Sequence, residues 1–134
     1  MVLETTYPVI ALSKNHPLAQ RDIVTLADLG QEQFAMVREE ECPSGVDLVR
    51  RVFLGFAGVL PRFFWVDSME DTVLWVEVGG KCVIFNTGMS ATNNPALRIC
   101  ELPDLPPMSV LLAWLPQNEN ENLNLILDYF RKKQ

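Results

Sequence analysis

The sequence is short of the groups that most site chemistry needs. It holds one histidine, His16, and three cysteines, Cys42, Cys82 and Cys100, widely spaced and without a Cys-x-x-Cys pair. An odd, scattered cysteine set gives no disulfide framework, and one histidine gives no zinc site, so reduced thiols in a cytoplasmic protein are expected. Basic residues are scarce, 11 against 17 acidic, for a formal net charge of -6 and a pI near 4.7. A negative field of that kind repels phosphate backbones, which argues against direct nucleic-acid binding by this chain. The densest basic run, Arg131-Lys132-Lys133, suits the negative end of a helix dipole instead. No apolar run approaches the ~20 residues of a membrane span, and the N-terminus lacks a charged start followed by an apolar stretch, so neither a membrane partner nor a secretion signal is expected.

Catalytic and cofactor signatures are missing too. His16 precedes Pro17 in what reads as a turn, and there is no Gly-x-Ser-x-Gly elbow. Cys42 stands before a helix that opens at Ser44, a position that lowers a thiol pKa, but the run Glu39-Glu40-Glu41 opposes this with local negative charge. Consecutive glutamates on a loop diverge and are ordinarily solvated, so no metal site is expected. Gly55-x-x-Gly58 and Gly79-Gly80 read as helix ends and not as a phosphate loop. Neither catalytic residues nor a cofactor is expected, and the chain reads as a non-enzyme.

What is present is an ordinary core: 49% hydrophobic and 21% charged residues over a single-domain length of 134. Val9 to Ser13 is a short apolar run ended by Asn15 and Pro17, the pattern of a strand buried on both faces. Thr25-Leu26-Ala27-Asp28 has the form of a capping box, predicting one helical turn closed by Gly30. Phe34 to Val37 reads as a second strand. Pro43-Ser44-Gly45 opens a helix whose apolar stripe is Val49, Val52, Phe53 and Phe56, with Gly58 as its stop. Phe63 to Val66 is a third strand, and Ser68-Met69-Glu70-Asp71 caps a helix running to Val78. Cys82 to Phe85, Leu97 to Leu102 and Val110 to Leu115 read as further strands, with a loop from Asn86 to Pro95. The stripe Leu123, Ile126, Leu127 and Phe130 predicts a last helix. Trp65, Trp75 and Trp114 lie inside predicted strands or helices and are expected in the core.

Strands alternating with helices predict an α/β fold: an open, mainly parallel sheet with flanking helices. In such sheets ligands sit beyond the carboxyl ends of the strands, where helix N-termini offer free amides. The residues there are Ser13 and Lys14, Arg38 to Ser44, Asp67 and Ser68, and Asn86 and Thr87.

The run Val9-Ile10-Ala11-Leu12-Ser13-Lys14-Asn15-His16-Pro17-Leu18-Ala19, followed by Val24-Thr25-Leu26-Ala27-Asp28-Leu29, resembles the effector-binding domain of LysR-type bacterial transcription regulators. The likeness continues through Phe53-x-x-x-x-Gly58-x-x-Pro61, Val66-x-Ser68, Val76-x-Val78-Gly79 and Val83-Ile84-Phe85 to Leu112-Ala113-Trp114. Two departures stand out. Asn86 and Thr87 take the place of the family's leucine-proline corner, and the 134 residues hold no counterpart of its winged helix-turn-helix, linker helix or opening part of the first lobe.

The resemblance implies one lobe of a type 2 periplasmic-binding-protein-like fold, with residues 1–105 as the second lobe and 106–134 as a return strand and helix belonging partly to the first. It implies effector sensing in a cleft between lobes, within a regulator that forms homo-oligomers. Arg38, Glu39, Cys42, Ser44, Asp67, Ser68 and Asn86 would face the effector, with the Arg38 fork suited to a carboxylate. The competing readings are one lobe of a solute-binding protein for a small anionic ligand, a small enzyme using Cys42, and a fragment that self-associates through its uncovered final strand and helix.

Overall fold

In the computed structural model, residues 1–58 and 60–133 are described. The chain runs β1 (Val2–Thr6), β2 (Pro8–Ser13), β3 (Gln33–Val37), α1 (Pro43–Ala57), β4 (Arg62–Val66), α2 (Met69–Gly79), β5 (Val83–Asn86), β6 (Leu97–Glu101), β7 (Met108–Leu111) and α3 (Glu121–Arg131). Short 3-10 turns lie at Pro17–Gln20 and Ser90–Asn93.

β2 is the spine. Its residues Val9 to Leu12 are all buried, and they alternate between two cores. Ile10 and Leu12 join Leu26, Leu29, Phe34 and Phe53 on one side, while Val9 and Ala11 join Val76, Val83 and Phe85 on the other. The two-faced burial expected of this run therefore holds, with α1 contributing Phe53 to the first core and α2 contributing Val76 to the second.

The sheet is not mainly parallel. β2 pairs antiparallel with β5 on one edge and with β6 on the other, whereas β3 and β4 are parallel. A parallel bridge between Phe34 and Cys82 joins the two groups, with Ala35 N–H donating to Cys82 O at 2.9 Å and Cys82 N–H to Gln33 O at 3.0 Å. A buried strand reads as the same apolar run in either direction, so alternation with helices overstates the parallel share. β3-α1-β4 and β4-α2-β5 are the crossover units, since β4, β3 and the start of β5 run parallel, whereas the β2 to β3 link is built of turns and needs no crossover helix.

The sequence pattern does not predict β1. It pairs antiparallel with β7, from Val2↔Leu111 to Thr6↔Met108, in a ribbon of its own. The last predicted strand thus begins earlier, at Met108, and ends at Leu111. The capping box at Thr25 closes as expected, with Thr25 N–H on Asp28 Oδ2 at 2.9 Å and Asp28 N–H on Thr25 Oγ1 at 3.2 Å. Beyond the box the chain forms a set of turns and not a helix, with Leu29 N–H on Leu26 O at 3.1 Å. The predicted helix stops do occur: Gly58 and Gly80 take left-handed φ values of 66° and 64°, which a side chain would strain.

His16 serves its turn. Nδ1 accepts from Leu18 N–H at 3.1 Å and Nε2 lies 3.1 Å from Glu32 Oε2. Three expectations about packing fail. Trp65, Trp75 and Trp114 are 37%, 38% and 37% exposed, because the first lies on a strand paired on one side alone and packs at a tilt on Phe63, the second packs at a tilt on Phe64, and the third lies beyond the end of β7. Phe56 and Ile126, assigned to apolar stripes, are also exposed. In α3 only Leu127 is buried, and all of β7 is exposed.

Candidate functional site

Parallel pairing of β3 with β4 brings the carboxyl ends of both strands side by side, in register at Val37↔Val66. Arg38 and Asp67 are the next residues. Arg38 N–H donates to Val66 O at 3.1 Å, and Arg38 Nε–H donates to Asp67 Oδ1 at 2.6 Å. The Asp67 carboxylate, with Glu40 nearby, holds the Arg38 guanidinium above its ordinary pKa. Among the described residues nothing engages Arg38 Nη1 or Nη2, so the outer edge of the fork is free while Asp67 aims it. A free guanidinium edge on an exposed loop suits a carboxylate or a similar acceptor pair.

The other predicted residues divide by what already occupies them. Glu39 is held by Arg50 of α1 through two bonds, Nη1 to Oε1 at 2.6 Å and Nη2 to Oε2 at 3.1 Å. Arg50 also covers the Phe63 ring at 5.6 Å, tying the loop to α1 and β4 together. The Ser68 hydroxyl accepts from Asp71 N–H at 3.1 Å as the N-cap of α2, which makes it a helix cap first. Ser44 is exposed in the first turn of α1. Cys42 precedes α1 with no side-chain capping bond, and its Sγ and the Met36 side chain of β3 both lie against Gly45. A Cβ on Gly45 would come within 2.7 Å of Cys42 Sγ and 3.3 Å of Met36 Cε, so the glycine permits that approach. Burial pushes the Cys82 and Cys100 thiols up, and both are inert by position.

Asn86 alone of the predicted residues borders a groove that the sequence pattern does not reveal. The groove, about 290 Å³, lies between the first half of α1 and the bend before β7. Met36, Leu48, Val49, Val52, Ile84 and Met108 are among its walls. Gly45 borders it as well, which sets Cys42 beside it. Its apolar residues look like core in the sequence, yet Leu48, Pro106 and Met108 are exposed. The polar row of Arg38, Glu39, Asp67 and Ser68 lies apart, at the ends of β3 and β4.

The model of the LysR substrate binding domain matches residues 2–134. The chain belongs to that family. Among solved structures, the effector binding domain of QuiR in complex with shikimate superposes with a TM-score of 0.74 at 18% identity, over 97% of this chain and 61% of that one. The CcmR regulatory domain from Synechocystis in complex with 2-PG gives 0.77 at 18% identity, over 99% and 65%. The BenM effector binding domain with its effector benzoate gives 0.78 at 18% identity, over 98% and 61%. These likenesses establish a shared α/β, periplasmic-binding-protein-like fold. The LysR chain thus spans under two thirds of the length of each of these three. No curated protein matches it significantly.

Proposed function

We propose that this LysR-family chain is the second lobe of an effector sensor, residues 1–105, with 106–134 returning toward the first lobe. The observation that carries the reading is the parallel end of β3 and β4, where Asp67 aims Arg38 and leaves its Nη edge open. In this reading Arg38 holds a carboxylate of a small effector, Ser44 and Asn86 supply hydrogen bonds, Glu39, Asp67 and Ser68 hold the surrounding loops, and Cys42 fills the corner beside them. The lobe supplies one wall of a cleft, and a first lobe supplies the other. An effector then shifts the open and closed arrangements only as far as it binds one better than the other. The β1–β7 ribbon, which pairs the segment before β2 with the return segment, is the natural hinge. The regulator would be a cytoplasmic homo-oligomer without catalytic activity, and the chain would touch no membrane; no described helix is long and apolar enough to cross one.

Amide NMR on the 134-residue chain tests this, with benzoate and shikimate as probes. Millimolar binding is expected from half a cleft, with shifts at Arg38, Ser44 and Asn86. Arg38→Ala should weaken it at least tenfold, whereas Arg51→Ala, on the outer face of α1 and paired with Asp47, should not. Binding untouched by Arg38→Ala would refute the assignment of Arg38.

A further inference from the structure

We propose that the groove between α1 and the 105–108 bend binds the ring or branched aliphatic body of a small molecule, with the Asn86 amide as its hydrogen-bonding contact. This rests on the effector-sensing reading and names the chemistry of that effector. No ionised side chain lines the groove: its residues are apolar but for Asn86. At about 290 Å³ it stands at the lower end of ligand pockets, sized for one ring and not for a larger cofactor. Two of its walls, Met36 and Met108, are thioethers that adapt to a ligand's shape. Its frame is rigid, since Phe34 stacks edgewise on Phe53 at 4.9 Å behind it and Pro8 and Pro106 border it.

Charge argues for the occupant. The exposed loop leading to α1 carries Glu40 and Glu41 with no ion pair among the described residues, on a chain of net charge -6. A polyanion is repelled there, and only an uncharged body matches the lining. A polyhydroxylated ring would set its hydroxyls against Leu48, Val49 and Val52 without partners, a cost of about tenfold or more in affinity for each. Leu48, 47% exposed, contributes a large apolar surface that the core does not use.

Methyl NMR on the 134-residue chain decides the matter, with benzyl alcohol, benzoate and shikimate as probes. Benzyl alcohol has the ring without the charge, benzoate has both, and shikimate has the acid on a hydroxylated ring. The two aromatic compounds should shift the methyls of Leu48, Val49, Val52 and Ile84 and bind at least tenfold more tightly than shikimate. Leu48→Asp, at an exposed site that leaves the fold intact, should weaken them at least tenfold, and Asn86→Ala should weaken benzyl alcohol less. Equal binding of shikimate at those methyls, or indifference to Leu48→Asp, overturns the proposal. So do methyl shifts that track protein concentration alone, which would mark the groove as a contact between copies. Shifts confined to the amides of Arg38 and Ser44 overturn the groove and leave the sensing reading standing, whereas silence from all three probes removes both.

Discussion

Replacing Phe53 with alanine should be the most costly single change to the part of the lobe that frames the groove. Only two residues of α1 are fully buried, Val46 and Phe53, with Val49, Val52 and Ala57 packed partly buried against the core, so Phe53 is the largest side chain that holds the helix down. Phe53 is 1% exposed and meets Phe34 edge to face, with centroids 4.9 Å apart and planes at 74°. Lost burial of the ring costs about 2–3 kcal/mol, the aromatic contact about 1 kcal/mol more, and an unfilled cavity adds to both. The sum falls within the ~3–5 kcal/mol typical of phenylalanine truncation in cores, a large share of a domain stability of about 5–15 kcal/mol. Urea denaturation reads this directly, with an unchanged slope if the native state stays compact. Phe56 is the internal control: it lies on the same helix but is 63% exposed, so Phe56→Ala should change stability by no more than about 0.5 kcal/mol. Phe53→Leu, which fills most of the space, should cost under about 1.5 kcal/mol. Equal effects at the two phenylalanines, or a loss below about 1 kcal/mol at Phe53, would refute the docking of α1 through this ring.

Ser68→Ala should lower stability by about 1 kcal/mol through loss of the α2 N-cap, measured by the same titration. The Asp28 carboxyl is held below its usual range, first by Thr25 N–H, then by the Thr25 hydroxyl and Arg21. Its stabilisation is therefore present above the unfolded value of about 3.9 and lost as pH falls through the lower folded value. Asp28→Asn should cost stability at neutral pH, and its gap from the parent chain should close in acid; a gap independent of pH would contradict the capping-box role. Cysteine alkylation with mass-spectrometric readout should label Cys42 in the native chain and spare Cys82 and Cys100, which are buried and whose thiols burial pushes up.

How much of the fold is legible in sequence depends on how local each cause is. Caps are local, so Thr25 with Asp28, Ser68 with Asp71, and the glycine stops at Gly58 and Gly80 are all visible there. Strand direction is not local. The apolar run of β2 looks the same whether its neighbours run with it or against it, and β1 shows no apolar alternation because the ribbon it forms with β7, a hundred residues away, is largely exposed. Arg98 illustrates the same limit. In sequence it is the polar half of an alternating strand, yet its guanidinium ties β6 to the segment before β3, donating to Ala19 O and Arg21 O at 3.0 Å and to Asp22 Oδ1 at 2.7 Å.

For the candidate site the two kinds of information divide differently. The positions of Arg38 and Asp67 at neighbouring strand ends come from a crossover unit that the sequence displays, but their mutual hydrogen bond needs the register Val37↔Val66. That bond changes the chemistry expected of Arg38. An unpartnered arginine would attract any anion, whereas one fixed through Nε by Asp67 presents a single edge and carries little net charge to its surroundings. The apolar groove beyond it is the larger surface, and its lining carries Asn86 where the family resemblance has a leucine-proline corner. Selectivity in such an arrangement comes chiefly from which bodies the walls exclude. Under the proposed reading, the Asn86 amide is the directional contact that orients what the walls admit.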